Sequence, residues 1–488
     1  MQYRTAFEIS KIIDSLITYL EENKTNKLSV IAQLLNELMN FDEFTKPDCN
    51  TESFFDIMTS IHDMETCLKS SENFMQAVEN LKIIKGAALQ ESKPLKIAFI
   101  VHEFSLWPSF QTIWESCPES IEKSIVVVYA LDKSLSGEEL DVYADPYRQA
   151  GYAVRTSDDY VLEIEQPDII FYMKPYRGFH SCPEEFYVNN VKKITPYTVF
   201  VSYCLDVQGG ELLQEYFYGQ PFFYHVWRII GYSSYYRDKM IERGYRDANN
   251  VVLLGHPKFD VSYKLAREKS FVNDVWKQKV KGRKVVLWNS HFTISPGSGV
   301  GTFLRWQKTI FRYFSEHNDI VLLWRPHPLF WQSISTTKEI NIEEFNELVR
   351  QLEESDNVIV DRTGDYRYAF CMSDALISDA ATFLVEYAAT SKPILYTIKS
   401  DGEKVCNSDY LVGVHVAEME SDVLTFLDDV RINRIDTETI RTNRKMFEKM
   451  FGRCDGMVGQ RILQYVLAEM EKNILEKVKN RMLILEER

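Results

Sequence analysis

Arg325 and His327 stand in the run Val321-Leu322-Leu323-Trp324-Arg325-Pro326-His327-Pro328, where an apolar segment delivers both side chains into a loop stiffened by two prolines. Arg presents a planar fork for phosphate oxygens, and His donates to an anion or carries a proton. The plainer alternative is a loop whose Arg pairs with a surface carboxylate. A second run, Ser373-Asp374-Ala375-Leu376-Ile377-Ser378-Asp379-Ala380-Ala381-Thr382, reads as a strand followed by a helix start capped by Ser378, Asp379 and Thr382. The first N–H groups of such a helix point outward and bind phosphate. Glu386 lies one turn beyond Thr382 on the same face, where a carboxylate accepts from two ribose hydroxyls. A plain helix cap accounts for the Ser and Asp equally well. The third run is Trp288-Asn289-Ser290-His291-Phe292-Thr293, followed by glycines at 297, 299 and 301. Strand, glycine-rich loop and helix in that order let backbone around Ser290, His291 and Gly299 approach a phosphate. The loop lacks the Lys of a P-loop, which disfavours an NTPase, and a surface loop is the alternative.

Chemistry on a hydroxyl beside such a phosphate site also needs a base. His102 and Glu103 end the first apolar run, Lys96-Ile97-Ala98-Phe99-Ile100-Val101, and either deprotonates an acceptor hydroxyl if it faces a cleft. Asp206 is the rival, and a satisfied loop histidine is the bland reading of His102. His327 completes the catalytic candidates. His180 and His225 lie among Tyr and Phe and read as structural. No Asp-x-Asp occurs anywhere, so a metal-held diphosphate is not supported, and neither metal nor cofactor is expected.

These residues must be held by recurring elements. Short apolar runs at 96–101, 124–129, 168–172, 198–202, 228–231 and 251–254 alternate with helix-like segments. A second alternation runs through 285–288, 320–324, 358–360, 375–377 and 393–396, with helical stretches at 302–315, 341–353 and 380–390. Strand and helix in alternation predict doubly wound α/β halves whose ligands sit at the carboxyl ends of the strands. Before them, Ile9, Ile12, Ile13, Leu16, Ile17 and Leu20 form a helical stripe, repeated at Leu28, Ile31, Leu34, Leu35 and Leu38 and begun again at Phe55, Met58 and Ile61. After them, Val458, Ile462, Leu463, Val466, Leu467, Met470, Ile474 and Val478 mark one long amphipathic helix. The expected organisation is an N-terminal helical domain at 1–92, a Rossmann-like acceptor-side domain at 93–265, a Rossmann-like nucleotide-donor domain at 266–455 and the C-terminal helix at 456–488.

The net charge of −15 repels phosphate backbones over most of the surface, which excludes nucleic acid as a general partner while leaving room for a local basic pocket. The eight cysteines are scattered with no Cys-x-x-Cys pair, as reduced thiols in a cytoplasmic protein are. Glu8 and Asp14 interrupt the apolar pattern of the N-terminus, so it does not read as a signal peptide, and no uninterrupted apolar stretch is long enough to span a bilayer. Lys472, Lys477, Lys479 and Arg481 make the C-terminal helix a candidate for peripheral contact with lipid or a partner, against which Glu471, Glu476, Glu486 and Glu487 weigh.

Arg-Pro-His-Pro at 325–328, then Ser-Asp-Ala-Ala-Thr at 378–382 with Glu386 and Lys392-Pro393-Ile394-Leu395 behind it, resembles the CDP-glycerol glycerophosphotransferase family. That family of teichoic-acid and capsule polymerases carries R-x-H-P and T-D-Y-S-S motifs. Leu254-Gly255-His256-Pro257-Lys258-Phe259-Asp260 is similar to its G-x-P-x-x-D turn, and Asp455-Gly456 fits the opening of its last helix. The resemblance covers about residues 95 to 470. It implies a GT-B fold, two Rossmann-like domains facing a cleft, and transfer of a glycerol- or ribitol-phosphate group from a CDP-activated donor. The acceptor would be a hydroxyl of a cell-surface glycan or teichoic-acid-like polymer, lipid-linked and so reached at the cytoplasmic membrane face. It also implies that Arg325 and His327 contact the donor pyrophosphate, that Thr382 stands for the second motif Ser, and that Glu386 stands for the ribose-binding acid. Two departures are visible: Ala381 replaces the first motif Ser, and Ser202-Tyr203-Cys204-Leu205-Asp206 stands where the family has its catalytic His-Gly. They leave open a metal-independent nucleotide-sugar glycosyltransferase of the same fold and a non-catalytic scaffold of polysaccharide assembly.

Overall fold

Strands that are buried on both faces are written as continuous apolar runs, and in the computed structural model these runs assemble into two all-parallel sheets. The structure describes residues 2–23, 74–90, 92–128, 137–176, 183–207, 211–243, 250–268, 271–294, 299–379, 381–399, 408–452 and 454–486. The expected helical stripes at 28–38 and 55–61 lie outside the described residues.

The first sheet comprises β1 (Lys96–Val101), β2 (Glu122–Val127), β3 (Val154–Thr156), β4 (Ile169–Tyr172), β5 (Thr198–Val201), β6 (Arg228–Gly231) and β7 (Val251–Leu253), in the order β3-β2-β1-β4-β5-β6-β7. The second comprises β8 (Lys284–Ser290), β9 (Ile320–Pro326), β10 (Val358–Val360), β11 (Ala375–Ser378), β12 (Ile394–Thr397) and β13 (His415–Ala417), in the order β10-β9-β8-β11-β12-β13. Both follow the Rossmann winding, so the crevices open where the order reverses, beside β1 and β4 in one sheet and beside β8 and β11 in the other. The edge strands β3 and β13 are three residues each and include polar side chains. Those two were missing from the sequence reading because so short a half-polar run carries no periodic signal.

The helices Tyr3–Asn23 and Phe74–Gln90 and the C-terminal helix Val458–Glu486 share one apolar core with the first sheet. Ile9, Ile13 and Leu16 lie in that core together with Ile462, Val466, Met470 and Ile474, over Phe99, Val101 and Phe171 on one face of the sheet. The stripe of the C-terminal helix is therefore spent on protein packing, which removes the apolar face that lipid contact through it requires. Arg228 adds an ion pair to Glu469 at 3.0 Å, and Glu8 one to Lys477 at 2.9 Å. Among the described residues no helix is long and apolar enough to cross a membrane.

The turn at Leu254-Gly255-His256-Pro257 leads into the helix Pro257–Glu268, which lies between the two halves. Its Asp260 is fully buried and accepts from the Gly459 N–H at 2.8 Å and from the Thr112 hydroxyl at 3.1 Å. One carboxylate thus caps the C-terminal helix and ties it to the helix Gln111–Ser116 of the first half. The approach is close: a Cβ on Gly459 would lie 2.3 Å from the Thr112 carbonyl carbon. Gly459→Ala is expected to lower the unfolding free energy by about 1–3 kcal/mol, the usual penalty of overpacking. An unchanged denaturant midpoint would show that the Thr112 segment yields freely.

Candidate functional site

The carboxyl ends of β8, β9 and β11 are laced together at the crevice of the second sheet. Ser378 donates its hydroxyl to Asn289 Oδ1 at 3.2 Å, and Asn289 Nδ2 donates to the Arg325 carbonyl at 3.0 Å. The His327 N–H donates to the Ser290 carbonyl at 2.9 Å, continuing the β8–β9 ladder past the strand end. Register therefore sets His327 beside His291, with ring centroids 5.6 Å apart and Phe292 against both at 4.3 and 4.8 Å. Burial pushes the His327 imidazole down to about 4, with the Arg325 charge adding to the effect. Burial and then His327 push His291 down to about 3. Both shifts favour the neutral imidazole.

The expected phosphate ligands divide on this geometry. Arg325 is buried and its guanidinium pairs with Asp361, which follows β10, and donates to Thr363 Oγ1 at 3.2 Å. Its charge is largely matched from within the fold. Ser290 and Ser378 were expected to face the donor, but both are fully buried. The Ser290 hydroxyl accepts from Trp324 Nε1 at 3.2 Å, and that of Ser378 serves Asn289. Asp379 was expected at the nucleotide as well. It is instead a buried brace: its carboxylate accepts the His291 N–H at 2.8 Å and the Thr302 N–H at 2.6 Å, closing the two ends of the glycine-rich loop. Burial pushes that carboxyl up to about 6. Gly299 serves the same loop, since at φ +59° a Cβ would lie 2.4 Å from Thr293 Oγ1. The glycine is needed for the loop to fold on itself.

Thr382 opens the helix Ala381–Ala388 and is partly exposed, its hydroxyl 3.5 Å from the Leu205 carbonyl of the first half. Glu386, expected to grip a ribose, is 0 % exposed. One oxygen accepts from Lys258 Nζ at 2.9 Å and the other from the Tyr366 hydroxyl at 2.8 Å. Both oxygens are taken in this structure, and Glu386 anchors an inter-half ion pair. The sequence reading missed Lys258 as that partner; a Lys in the joining turn was the signal.

In the first half, the three candidate bases separate by burial. His102 is 2 % exposed, and its carbonyl accepts from the Tyr147 hydroxyl at 3.1 Å. Asp206 is buried, accepts from the hydroxyls of Tyr218 and Tyr232, and is pushed up to about 7 by burial. Neither reaches the cleft surface. Glu103 does: its side chain is 35 % exposed and pairs with Lys174, itself 7 % exposed, at 2.8 and 3.2 Å. Lys174 was not foreseen, although Met173-Lys174-Pro175 immediately after β4 placed it at the switch point. The next residue, Phe104, lies under the Arg367 guanidinium of the second half at 5.5 Å, and Arg367 donates to Gln111 Oε1 at 2.8 Å. Glu103 therefore stands at the line where the halves meet.

Comparison with known proteins agrees with this layout. Residues 226–468 match the family described as CDP-Glycerol:Poly(glycerophosphate) glycerophosphotransferase, a stretch holding β6, β7, the joining turn, the whole second sheet and the start of the C-terminal helix. No curated protein matches the chain in sequence. Among solved structures, a variant of the wall teichoic acid polymerase TagF with CDPG is similar at a TM-score of 0.50 and 11% identity, over 87% of this chain and 99% of that one. The S. aureus MnaA–UDP co-structure is similar at 0.50 and 13% identity, over 76% and 96%. A UDP-GlcNAc 2-epimerase from Neisseria meningitidis bound to UDP-GlcNAc is similar at 0.50 and 11% identity, over 77% and 100%. At such identities these structures speak for the two-Rossmann GT-B fold.

Proposed function

Because residues 226–468 match the family described as CDP-Glycerol:Poly(glycerophosphate) glycerophosphotransferase, we propose that this chain moves an alditol phosphate from a CDP-alditol to a hydroxyl of a cell-surface glycan or teichoic-acid-like polymer. The observation that carries the reading is the pair of imidazoles, His327 and His291, set at the switch point of the family-matched sheet beside the start of the helix Ala381–Ala388. The donor diphosphate lies there, with Thr382 at the helix N-terminus. The acceptor lies over the first sheet, where Glu103 takes the proton of its hydroxyl. The oxygen attacks the β-phosphorus of the CDP-alditol, the new P–O bond forms as the bond to CMP breaks, and CMP departs with the electron pair. N–H donors at the developing negative charge lower the barrier. A lipid-linked acceptor places the work at the cytoplasmic membrane face.

Calorimetric titration with CDP, UDP and GDP tests the donor class. Tightest binding is expected for CDP, and no binding of any of the three at millimolar concentration overturns the reading. Preference for UDP or GDP instead supports sugar transfer, a reading favoured by the replacement of the family's His-Gly by Ser202-Tyr203. His327→Ala is expected to lower kcat about 10²–10³-fold, as loss of one donor to a developing anion does. Retained activity with a melting temperature many degrees lower would show His327 to be structural.

A further inference from the structure

We propose that His291 and His327 form a neutral imidazole clamp, presenting two Nε2–H donors to the diphosphate of the donor. The inference rests on the donor reading above and adds a second ring and its protonation state. The tautomers follow from the backbone. His291 Nδ1 lies 2.8 Å from the Thr293 hydroxyl and 3.3 Å from the Thr293 N–H, and the Thr293 oxygen in turn accepts the Gly301 N–H at 3.0 Å. The Thr293 N–H needs the lone pair of His291 Nδ1, which places the ring proton on Nε2 and leaves the Thr293 hydroxyl to donate. His327 Nδ1 accepts the Leu329 N–H at 3.1 Å, which assigns its proton to Nε2 as well. Neither Nε2 has a protein partner among the described residues, and both rings are partly exposed. With centroids 5.6 Å apart, the two rings are close enough to serve one diphosphate.

Among the described residues, the charged groups near the pair include Arg325 from β9, Asp361 after β10 and Asp379 after β11. Arg325 and Asp361 cancel, and Asp379 spends its carboxylate on backbone N–H groups of the loop. An imidazolium would need both ring nitrogens as donors, which the N–H groups pointing at each Nδ1 oppose. Burial lowers both rings, with Arg325 adding to it at His327 and His327 adding to it at His291. The clamp therefore binds phosphate through N–H dipoles, as a neutral imidazole serves elsewhere as an electrophile.

The test is calorimetry of CDP binding to the full chain near neutral pH, in two buffers of different ionisation enthalpy. The expected result is equal apparent enthalpies, meaning no proton taken up; uptake of about one proton per CDP overturns the neutral clamp. His291→Ala should weaken CDP about ten- to a hundredfold, while His291→Gln, which returns an N–H near the Nε2 position, should recover most of that affinity. Equal weakening by Ala and Gln, with both melting as the wild type, overturns the role of His291. CDP affinity unchanged in His291→Ala overturns it too and leaves the donor reading standing. Failure of the wild type to bind CDP removes the donor reading and the clamp together.

Discussion

Glu103→Gln is expected to lower turnover about 10²–10⁴-fold, the range over which a positioned general base acts. Gln keeps the shape of Glu and an oxygen for Lys174, but it cannot take the acceptor's proton. The effect should fall on kcat, with CDP affinity and melting temperature close to wild type, because the side chain is 35 % exposed and belongs to the half opposite the donor. Asp206→Asn is the control. Its carboxyl is held by two tyrosine hydroxyls inside the core, so it should change stability and leave the chemical step largely intact. Steady-state assay of both variants decides between them. Full activity in Glu103→Gln with a large loss in Asp206→Asn would return the base to the segment that replaces the family's His-Gly.

The second large effect is on the fold. Glu386→Ala leaves Lys258, 6 % exposed, without its counter-ion, and Tyr366 without its acceptor. Breaking a buried pair in this way costs about 3–5 kcal/mol. Lys258→Met with Glu386→Leu together should recover most of that loss, because two apolar side chains of similar volume remove both charges at once. Chemical denaturation of the two single variants and the double one reads the coupling directly. A single variant as stable as wild type would mean that water enters the site and solvates the survivor. If Glu386→Gln instead lowered affinity for ribonucleotides alone, leaving deoxyribonucleotides and stability untouched, the carboxylate would be a ribose ligand reached by opening of the halves.

The main elements were legible in the sequence because their cause is local. A strand buried on both faces must be a short apolar run, and helices between such runs force parallel order; nearly all the interior strands were readable on that ground. The position of His327 was legible for the same reason: Pro326 and Pro328 confine it to a strand end, and chain order puts that end at the crevice. The fates of polar side chains were not. Ser290, Asp206, Asp379 and Glu386 look alike to a reader of sequence, as hydroxyls and carboxylates near strand ends. What distinguishes a ligand from a brace is burial and a partner far along the chain, such as Lys258 for Glu386 at a separation of 128 residues or His291 for Asp379 at 88. Glu103 and Lys174, 71 apart, meet only because β1 and β4 are neighbours. The stripe on the C-terminal helix announced that an apolar face would be covered, and only the tertiary structure decided that the first sheet and the helix Tyr3–Asn23 cover it, since hydrophobic burial is non-directional and names no partner.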